Sequence, residues 1–307
     1  MCNTEYNRKQ VIIYLVFTFV IAYAIQIGVF LLYKNGNAAA GQLVMTAMMF
    51  VPTLGALLSG AKFKGLGWDP RFRKNIGRIL FAWFIPLILT AAGAALYFLV
   101  FTQHLDLSGS PLGQDVLKQL ESQGIPYFLF ILISVVSAAT YAPLINAFAA
   151  LGEEIGWRGF LYPQLKARFG RNKGRLLGGV IWGAWHWPLI WLIGYEYGTD
   201  YFGFPVLGML IFLLFTIALG IIADRLYERS GSIWLPALFH GAVNAAAGLP
   251  ALVCLTDTGS ARLLGPYPNG LIAGLPLLIT ALFLFILKDR GYTSGSSEAP
   301  QTTTVQE

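Results

Sequence analysis

Long apolar runs are the feature that most restricts how this chain can fold. A helix needs about 20 apolar residues to cross the hydrocarbon core of a bilayer. We find candidate runs at residues 11–33, 39–60, 78–101, 126–151, 177–194, 203–224, 233–249 and 269–287. The sequence therefore predicts an all-α, polytopic membrane protein with about eight transmembrane helices.

The composition excludes the soluble classes of protein. Hydrophobic residues make up 56% of the 307 residues and charged residues only 12%, whereas soluble globular domains carry about 25% charged residues. The two cysteines, Cys2 and Cys254, provide neither a disulfide framework nor a thiolate metal site. The net charge of +6 arises from loops between apolar runs, without a basic patch interleaved with aromatic residues. We therefore expect no nucleic-acid partner.

The distribution of basic residues predicts the orientation in the membrane. If the N-terminus is cytoplasmic, 18 of the 21 Lys and Arg residues fall in cytoplasmic segments, and only Lys34, Lys118 and Arg262 lie outside. Such an excess is typical of cytoplasmic loops. We predict a multi-pass protein of the cytoplasmic membrane with both termini cytoplasmic. The first run, with 23 residues, is longer than a signal-peptide core of 7–15 residues, so an uncleaved helix is expected.

The chain divides into one membrane domain and a tail. Residues 1–290 form a single transmembrane helical domain in this interpretation, with the candidate site within residues 150–246. Residues 291–307 are rich in Ser, Thr and Gln, a composition typical of disorder. A disordered cytoplasmic tail is therefore predicted for them.

Two adjacent carboxylates occur near the end of the fourth run. Ionisable groups inside a membrane are costly and usually functional. Glu154 and Arg158 are four residues apart, so on a helix they share a face and can form an ion pair. Glu153 points about 100° away around the helix and has no evident local partner. We therefore expect Glu153 to serve a functional role, whereas the Glu154–Arg158 pair is equally explained as a structural ion pair.

Two histidines lie within the apolar runs. His186 follows Trp182 by four residues, so the Trp182 ring can orient the imidazole. A single histidine on an apolar helix is more often a hydrogen-bonded interior residue than a catalytic one. His240 and Asn244 are also four residues apart and can direct two hydrogen bonds to one point, which suits a developing oxyanion. Alternatively, this pair joins two helices by hydrogen bonds.

Together these residues suit the hydrolysis of an acyl bond by an activated water. Glu153, His186 and His240 would equally form a two-histidine, one-carboxylate zinc site with an open position. Both possibilities stay open at this point.

The three motifs resemble those of the CPBP intramembrane protease family. This family contains the type II CAAX prenyl endopeptidases and proteins linked to bacteriocin processing or immunity. The matching motifs are Glu153-Glu154-x-x-x-Arg158, Trp182-x-x-x-His186 and His240-x-x-x-Asn244. The second motif usually opens with Phe, and here it opens with Trp182.

The resemblance implies roles for the site residues. Glu153 and His186 would activate the water, and His240 and Asn244 would hold the oxyanion. Glu154 and Arg158 would support the site. The family members are called metalloproteases, so one divalent metal ion, zinc, is a possible cofactor.

The expected function is therefore that of an intramembrane endopeptidase acting near the cytoplasmic leaflet. Its partners would be the bilayer and a membrane-embedded or lipidated peptide. Two alternatives remain, a non-catalytic membrane scaffold or immunity protein and a proton-coupled transporter.

The topology can be tested by labelling single cysteines introduced into loops 61–77 and 102–125. We expect an impermeant thiol reagent added from outside to label the second loop but not the first, because the first holds five of the basic residues. Labelling of loop 61–77 from outside would contradict the eight-span topology.

Overall fold

A computed structural model describes residues 5–287, and it confirms an all-α fold that is 76% helical. Residues 288–307, including the predicted tail, lie outside the described part. The α-helices are α1 (Arg8–Lys34), α2 (Ala38–Met48), α3 (Val51–Leu58), α4 (Phe72–Val100), α5 (Gln114–Ser122), α6 (Tyr127–Ala139), α7 (Ala142–Gly156), α8 (Tyr162–Phe169), α9 (Arg171–Trp185), α10 (Trp187–Ile193), α11 (Val206–Ser230), α12 (Trp234–Ala247) and α13 (Leu275–Ile286).

Six helical segments within residues 5–287 are long and apolar enough to cross a membrane, or up to seven if the bent pair α5–α6 counts as one span. The six are Arg8–Lys34, Ala38–Leu58, Phe72–Val100, Arg171–Ile193, Val206–Ser230 and Trp234–Val253. The fourth predicted span is divided between α6 and α7, and the eighth corresponds to α13, which has only 12 residues. The polytopic fold is thus confirmed, while the count of eight stays a prediction.

The break between α6 and α7 has a local cause. Pro143 lies in the first turn of α7, and a proline ring clashes with the carbonyl four residues earlier. That residue is Ala139, where α6 ends. The Ala139 carbonyl instead accepts a hydrogen bond from the Trp83 indole at 3.0 Å. Pro143 therefore ends one helix and starts the next.

The helix that carries the two glutamates packs closely on its neighbours. A Cβ at Gly156 of α7 would lie 2.4 Å from Pro52 of α3, and one at Gly241 of α12 would lie 2.4 Å from the Ala147 nitrogen of α7. Only glycine permits such approaches of helix backbones. As a result, α3, α7 and α12 meet around the candidate site residues.

One group of basic residues has a structural role that the charge count did not reveal. Lys166, Arg171 and Arg175 form ion pairs of 2.6–2.8 Å with Asp224 and Glu228 of α11. The Arg175 and Asp224 side chains are fully buried. These ion pairs connect α8 and α9 to α11, so the three basic residues are not simply solvent-exposed charges that orient the chain.

The packing of α9 on α11 gives a stability prediction. A Cβ at Gly179 would lie 2.5 Å from the Ile217 Cα, whereas a Cβ at Gly77 meets no atom within 4 Å. Gly179→Ala should therefore lower the free energy of unfolding by about 1–3 kcal/mol through overpacking. Thermal unfolding in detergent would measure the change.

The matched control is Gly77→Ala, which makes the same substitution in an open part of α4. It should be neutral or should stabilise the protein by about 0.5–1 kcal/mol, because alanine is the better helix residue. Equal effects of the two substitutions would contradict the packing described here.

Candidate active site

Glu153 lies near the end of α7, and only 3% of its surface is exposed. Its Oε2 atom accepts hydrogen bonds from the indole nitrogens of Trp157, at 3.0 Å, and Trp182, at 2.7 Å. The expectation that Glu153 lacks a local partner was wrong, since Trp157 follows it by one helical turn. Hydrogen bonds to a buried carboxylate stabilise its charge. The two indole N–H groups therefore reduce the free-energy cost of burying the Glu153 carboxylate.

Glu154 connects two of the predicted motifs. Its Oε1 atom lies 2.9 Å from Nη1 of Arg158 and 2.9 Å from Nδ1 of His240. The predicted ion pair of Glu154 with Arg158 is therefore present, and both side chains are fully buried. The Arg158 guanidinium also lies over the rings of Tyr162 and Trp182, 4.7 and 4.4 Å from their centroids. Such cation–π contacts favour a desolvated cation.

His186 is oriented by the backbone of Trp182 rather than by its ring. The Nδ1 atom of His186 lies 2.9 Å from the Trp182 carbonyl oxygen. The Trp182 ring instead meets the His240 ring edge-on, with centroids 5.2 Å apart. The rings next to His186 are those of Trp185, perpendicular at 4.8 Å, Phe212, edge-on at 5.0 Å, and Tyr195, stacked at 6.2 Å. The i, i+4 spacing of Trp182 and His186 therefore orients the imidazole through the main-chain carbonyl of Trp182 and not through its ring.

These contacts fix which nitrogen of each imidazole is available. A carbonyl oxygen can only accept, so Nδ1 of His186 must carry a proton and donate it. In the neutral ring, Nε2 of His186 is then an acceptor. Nδ1 of His240 likewise donates to the ionised Glu154, and its Nε2 is free for another partner.

A cavity of about 370 Å³ brings the predicted site residues together. Glu153, His186, His240 and Asn244 all line it, whereas Glu154 and Arg158 lie behind its wall. The four motif residues come from α7, the end of α9, and α12. Sequence reasoning missed several other lining residues because no motif marks them: Trp185, Tyr195, Glu196, Tyr267 and Asn269.

The lining also shows towards which end of the bundle the cavity extends. Glu196 belongs to the segment after α10, and Asn269 to the segment before α13. The topology with a cytoplasmic N-terminus places both segments outside. The expectation of a site near the cytoplasmic leaflet therefore conflicts with that topology, and cysteine labelling at the exposed Asp200 would decide between the two.

The predicted zinc site was compared with the arrangement of ligands. Among residues 5–287, no three His, Cys, Asp or Glu side chains are close enough together to hold a metal ion. Glu153, His186 and His240 are thus not arranged as a three-ligand set. Zinc stays a prediction.

Comparisons with known proteins agree with the three motifs. Residues 135–246 match the family of Rce1-like type II CAAX prenyl endopeptidases. The chain is also 25% identical over 255 residues to a protein of Methanococcus maripaludis named CAAX prenyl protease 2. That match covers 81% of this chain and 86% of the relative.

Residues 135–246 are Rce1-like. The resemblance predicted from the motifs is confirmed, because the matched region contains all six predicted site residues. It supports an intramembrane endopeptidase. The individual roles of Glu153, Glu154, Arg158, His186, His240 and Asn244 stay predictions.

The buried Glu154–Arg158 pair gives a second stability prediction. Arg158→Ala should lower the free energy of unfolding by about 3–5 kcal/mol, because it leaves a buried carboxylate without its charge partner. Thermal unfolding in detergent would measure it, with Arg73→Ala on the exposed first turn of α4 as the control. An Arg158→Ala protein as stable as the wild type would refute a supporting role for the pair.

Proposed function

We propose that this protein is an intramembrane endopeptidase that cleaves a peptide bond with a water molecule activated by Glu153 and His186. The observation that carries the proposal is the single cavity lined by Glu153, His186, His240 and Asn244. Within it, the acceptor groups of Glu153 and His186 are held in place by hydrogen bonds to Trp157 and Trp182.

The first step needs two acceptors for one water. The hydrogen bonds from Trp157 and Trp182 both go to Oε2 of Glu153, which leaves Oε1 available. Nε2 of His186 provides the second acceptor. The water oxygen adds to the carbonyl carbon of the substrate while one proton passes to Glu153 or His186. The C–N bond then breaks, and this proton is transferred to the leaving amine nitrogen.

The second requirement is stabilisation of the oxyanion. Nδ1 of His240 already donates to Glu154, so Nε2 can donate only when the imidazole is protonated on both nitrogens. The side-chain amide of Asn244, one turn further along α12, supplies the second donor. Two donors aimed at the developing charge typically account for a large part of the rate enhancement.

The substrate class follows from the surroundings of the cavity. Its walls are helices whose outer faces expose large apolar side chains, such as Leu43 of α2 at 72% and Phe148 of α7 at 64%. Such faces suit contact with lipid. The proposed substrate is therefore a membrane-embedded or lipidated peptide in the cytoplasmic membrane, in keeping with the prenyl protease activity that the Methanococcus relative's name states.

Glu153→Gln tests the proposed function. It should reduce the turnover number by about 10²–10⁴-fold, because it removes a general base, while the thermal unfolding temperature stays near that of the wild type. The purified protein would be reconstituted in liposomes with a library of membrane-spanning peptides, and cleavage products would be identified by mass spectrometry.

The matched control is Glu121→Gln, at an exposed position of α5. It should retain wild-type turnover. Equal activity of Glu153→Gln and the wild type would contradict the proposed mechanism. Repeating the wild-type assay with a chelator tests the zinc prediction, since a loss of turnover that zinc restores indicates a bound metal.

A further inference from the structure

The cavity contains a second carboxyl group that the proposed mechanism does not use. Glu196 lines the same cavity as Glu153 and His186, at the end that adjoins residues Tyr267–Asn269. It directly follows Tyr195, whose ring stacks on the His186 ring. A peptide bound at the water-activating residues would therefore extend towards Glu196.

The backbone at Glu196 is unusual for a residue with a side chain. Its φ angle is +69°, and the nearby Gly194 and Gly198 have φ angles of +66° and +69°. This left-handed region favours glycine, and other residues adopt it at a cost in free energy. Two of the three left-handed positions are thus glycine, while the one facing the cavity is glutamate. Strain of this kind is concentrated at functional sites.

The acceptors around Glu196 outnumber the donors. The Asn269 amide nitrogen donates to Oε2 of Glu196 at 2.8 Å. The Asn269 side chain is only 4% exposed, and its amide oxygen is buried with no donor among residues 5–287. A buried acceptor without a donor costs free energy. The pair therefore presents a carboxylate and an amide oxygen that a bound donor would satisfy.

The charge of Glu196 is also poorly compensated. Burial raises the pKa of its carboxyl group, and hydrogen bonds from Tyr195 and Asn269 partly oppose this effect. Both partners are neutral, so they stabilise the anion without balancing its charge. A cation bound next to Glu196 would balance the charge of the carboxylate, which the neutral side chains of Tyr195 and Asn269 do not.

There is space for such a group. Glu196 and Tyr267 also line a second cavity of about 460 Å³, which lies next to the first. Arg262 lines this second cavity too, and its guanidinium donates hydrogen bonds to the main-chain carbonyls of Tyr197, Thr256 and Gly259. Glu196 therefore stands between the catalytic cavity and a second space that can receive a long side chain.

We infer that Glu196 and Asn269 form a specificity subsite for a lysine or arginine side chain of the substrate, close to the bond that is cleaved. The inference rests on the proposed function, since it assigns part of the same cavity to substrate recognition. The carboxylate of Glu196 pairs with the cationic group, and the amide oxygen of Asn269 accepts one of its protons.

The test uses N-acetylated apolar peptides that carry lysine, norleucine or glutamate at one position on either side of the cleaved bond. The wild-type protein in liposomes should cleave the lysine peptide with kcat/KM about tenfold or more above that for norleucine, a typical effect of one close charge pair. Glu196→Gln should reduce this ratio to near one, and Glu196→Lys should shift the preference to glutamate. The matched control, Asp200→Asn, changes an exposed carboxylate of the same segment and should keep the wild-type ratio.

A lysine-to-norleucine ratio that is unchanged in Glu196→Gln would overturn the subsite, even if all the rates fell together. Glu196→Gly provides a second variant, because glycine adopts the +69° φ angle without strain and should preserve the fold. The Glu196→Gly protein should also lose the preference for lysine over norleucine.

Binding distinguishes failure of the subsite from failure of the proposed function. The same peptides would be titrated against the Glu153→Gln protein with and without the Glu196→Gln change. If no peptide is cleaved by the wild type, but lysine peptides bind more tightly only when Glu196 is present, the endopeptidase function fails and the subsite is upheld. If peptides are cleaved and bound without regard to lysine, the subsite fails and the endopeptidase function is upheld.

Discussion

The ionic hydrogen bonds of Glu154 are the interaction on which the site depends. One oxygen of this fully buried carboxylate joins Arg158 on its own helix to His240 on α12. Removing any member leaves a charged or polar group buried without compensation, which is far more costly than never having buried it. The contact therefore fixes both the packing of α12 on α7 and the orientation of the His240 ring. The same interaction therefore supports the fold and sets the geometry of the proposed active site.

Trp182 performs several of these tasks in one residue. Its indole nitrogen donates to Glu153, its ring covers Arg158 and meets His240, and its carbonyl accepts from His186. A phenylalanine, usual at this position in the resembling family, can provide the ring contacts and the carbonyl but no N–H. In this chain Glu153 thus accepts one more hydrogen bond than it could from a second motif that opens with phenylalanine. Trp157 provides the other, so the carboxylate does not rely on a cation for its stabilisation.

Sequence reasoning predicted the contacts within one helix but not those between helices. The Glu154–Arg158 pair follows from i, i+4 spacing alone, and the same rule would have revealed the Trp157–Glu153 contact. The bonds from Trp182 to Glu153 and from His240 to Glu154 join residues 29 and 86 positions apart. They depend on close helix packing that no periodicity specifies. Glu196 was missed for a different reason, since it lies between apolar runs and its value comes from the fold that places it in the cavity.

The depth of the site shows why the predicted access and the predicted topology disagree. The apolar run that contains His186 begins at residue 177 in the sequence, whereas α9 begins at Arg171. His186 is therefore about 22 Å from the start of its helix at 1.5 Å per residue, at the end of α9 that is far from Arg171 and Arg175. Lys166, Arg171 and Arg175 form ion pairs within the protein. Even when these three residues are left out, most Lys and Arg residues still fall in the predicted cytoplasmic segments. The charge distribution and the cavity thus favour opposite faces. A substrate on the cytoplasmic side can reach this cavity only if the segments containing Glu196 and Asn269 face the cytoplasm.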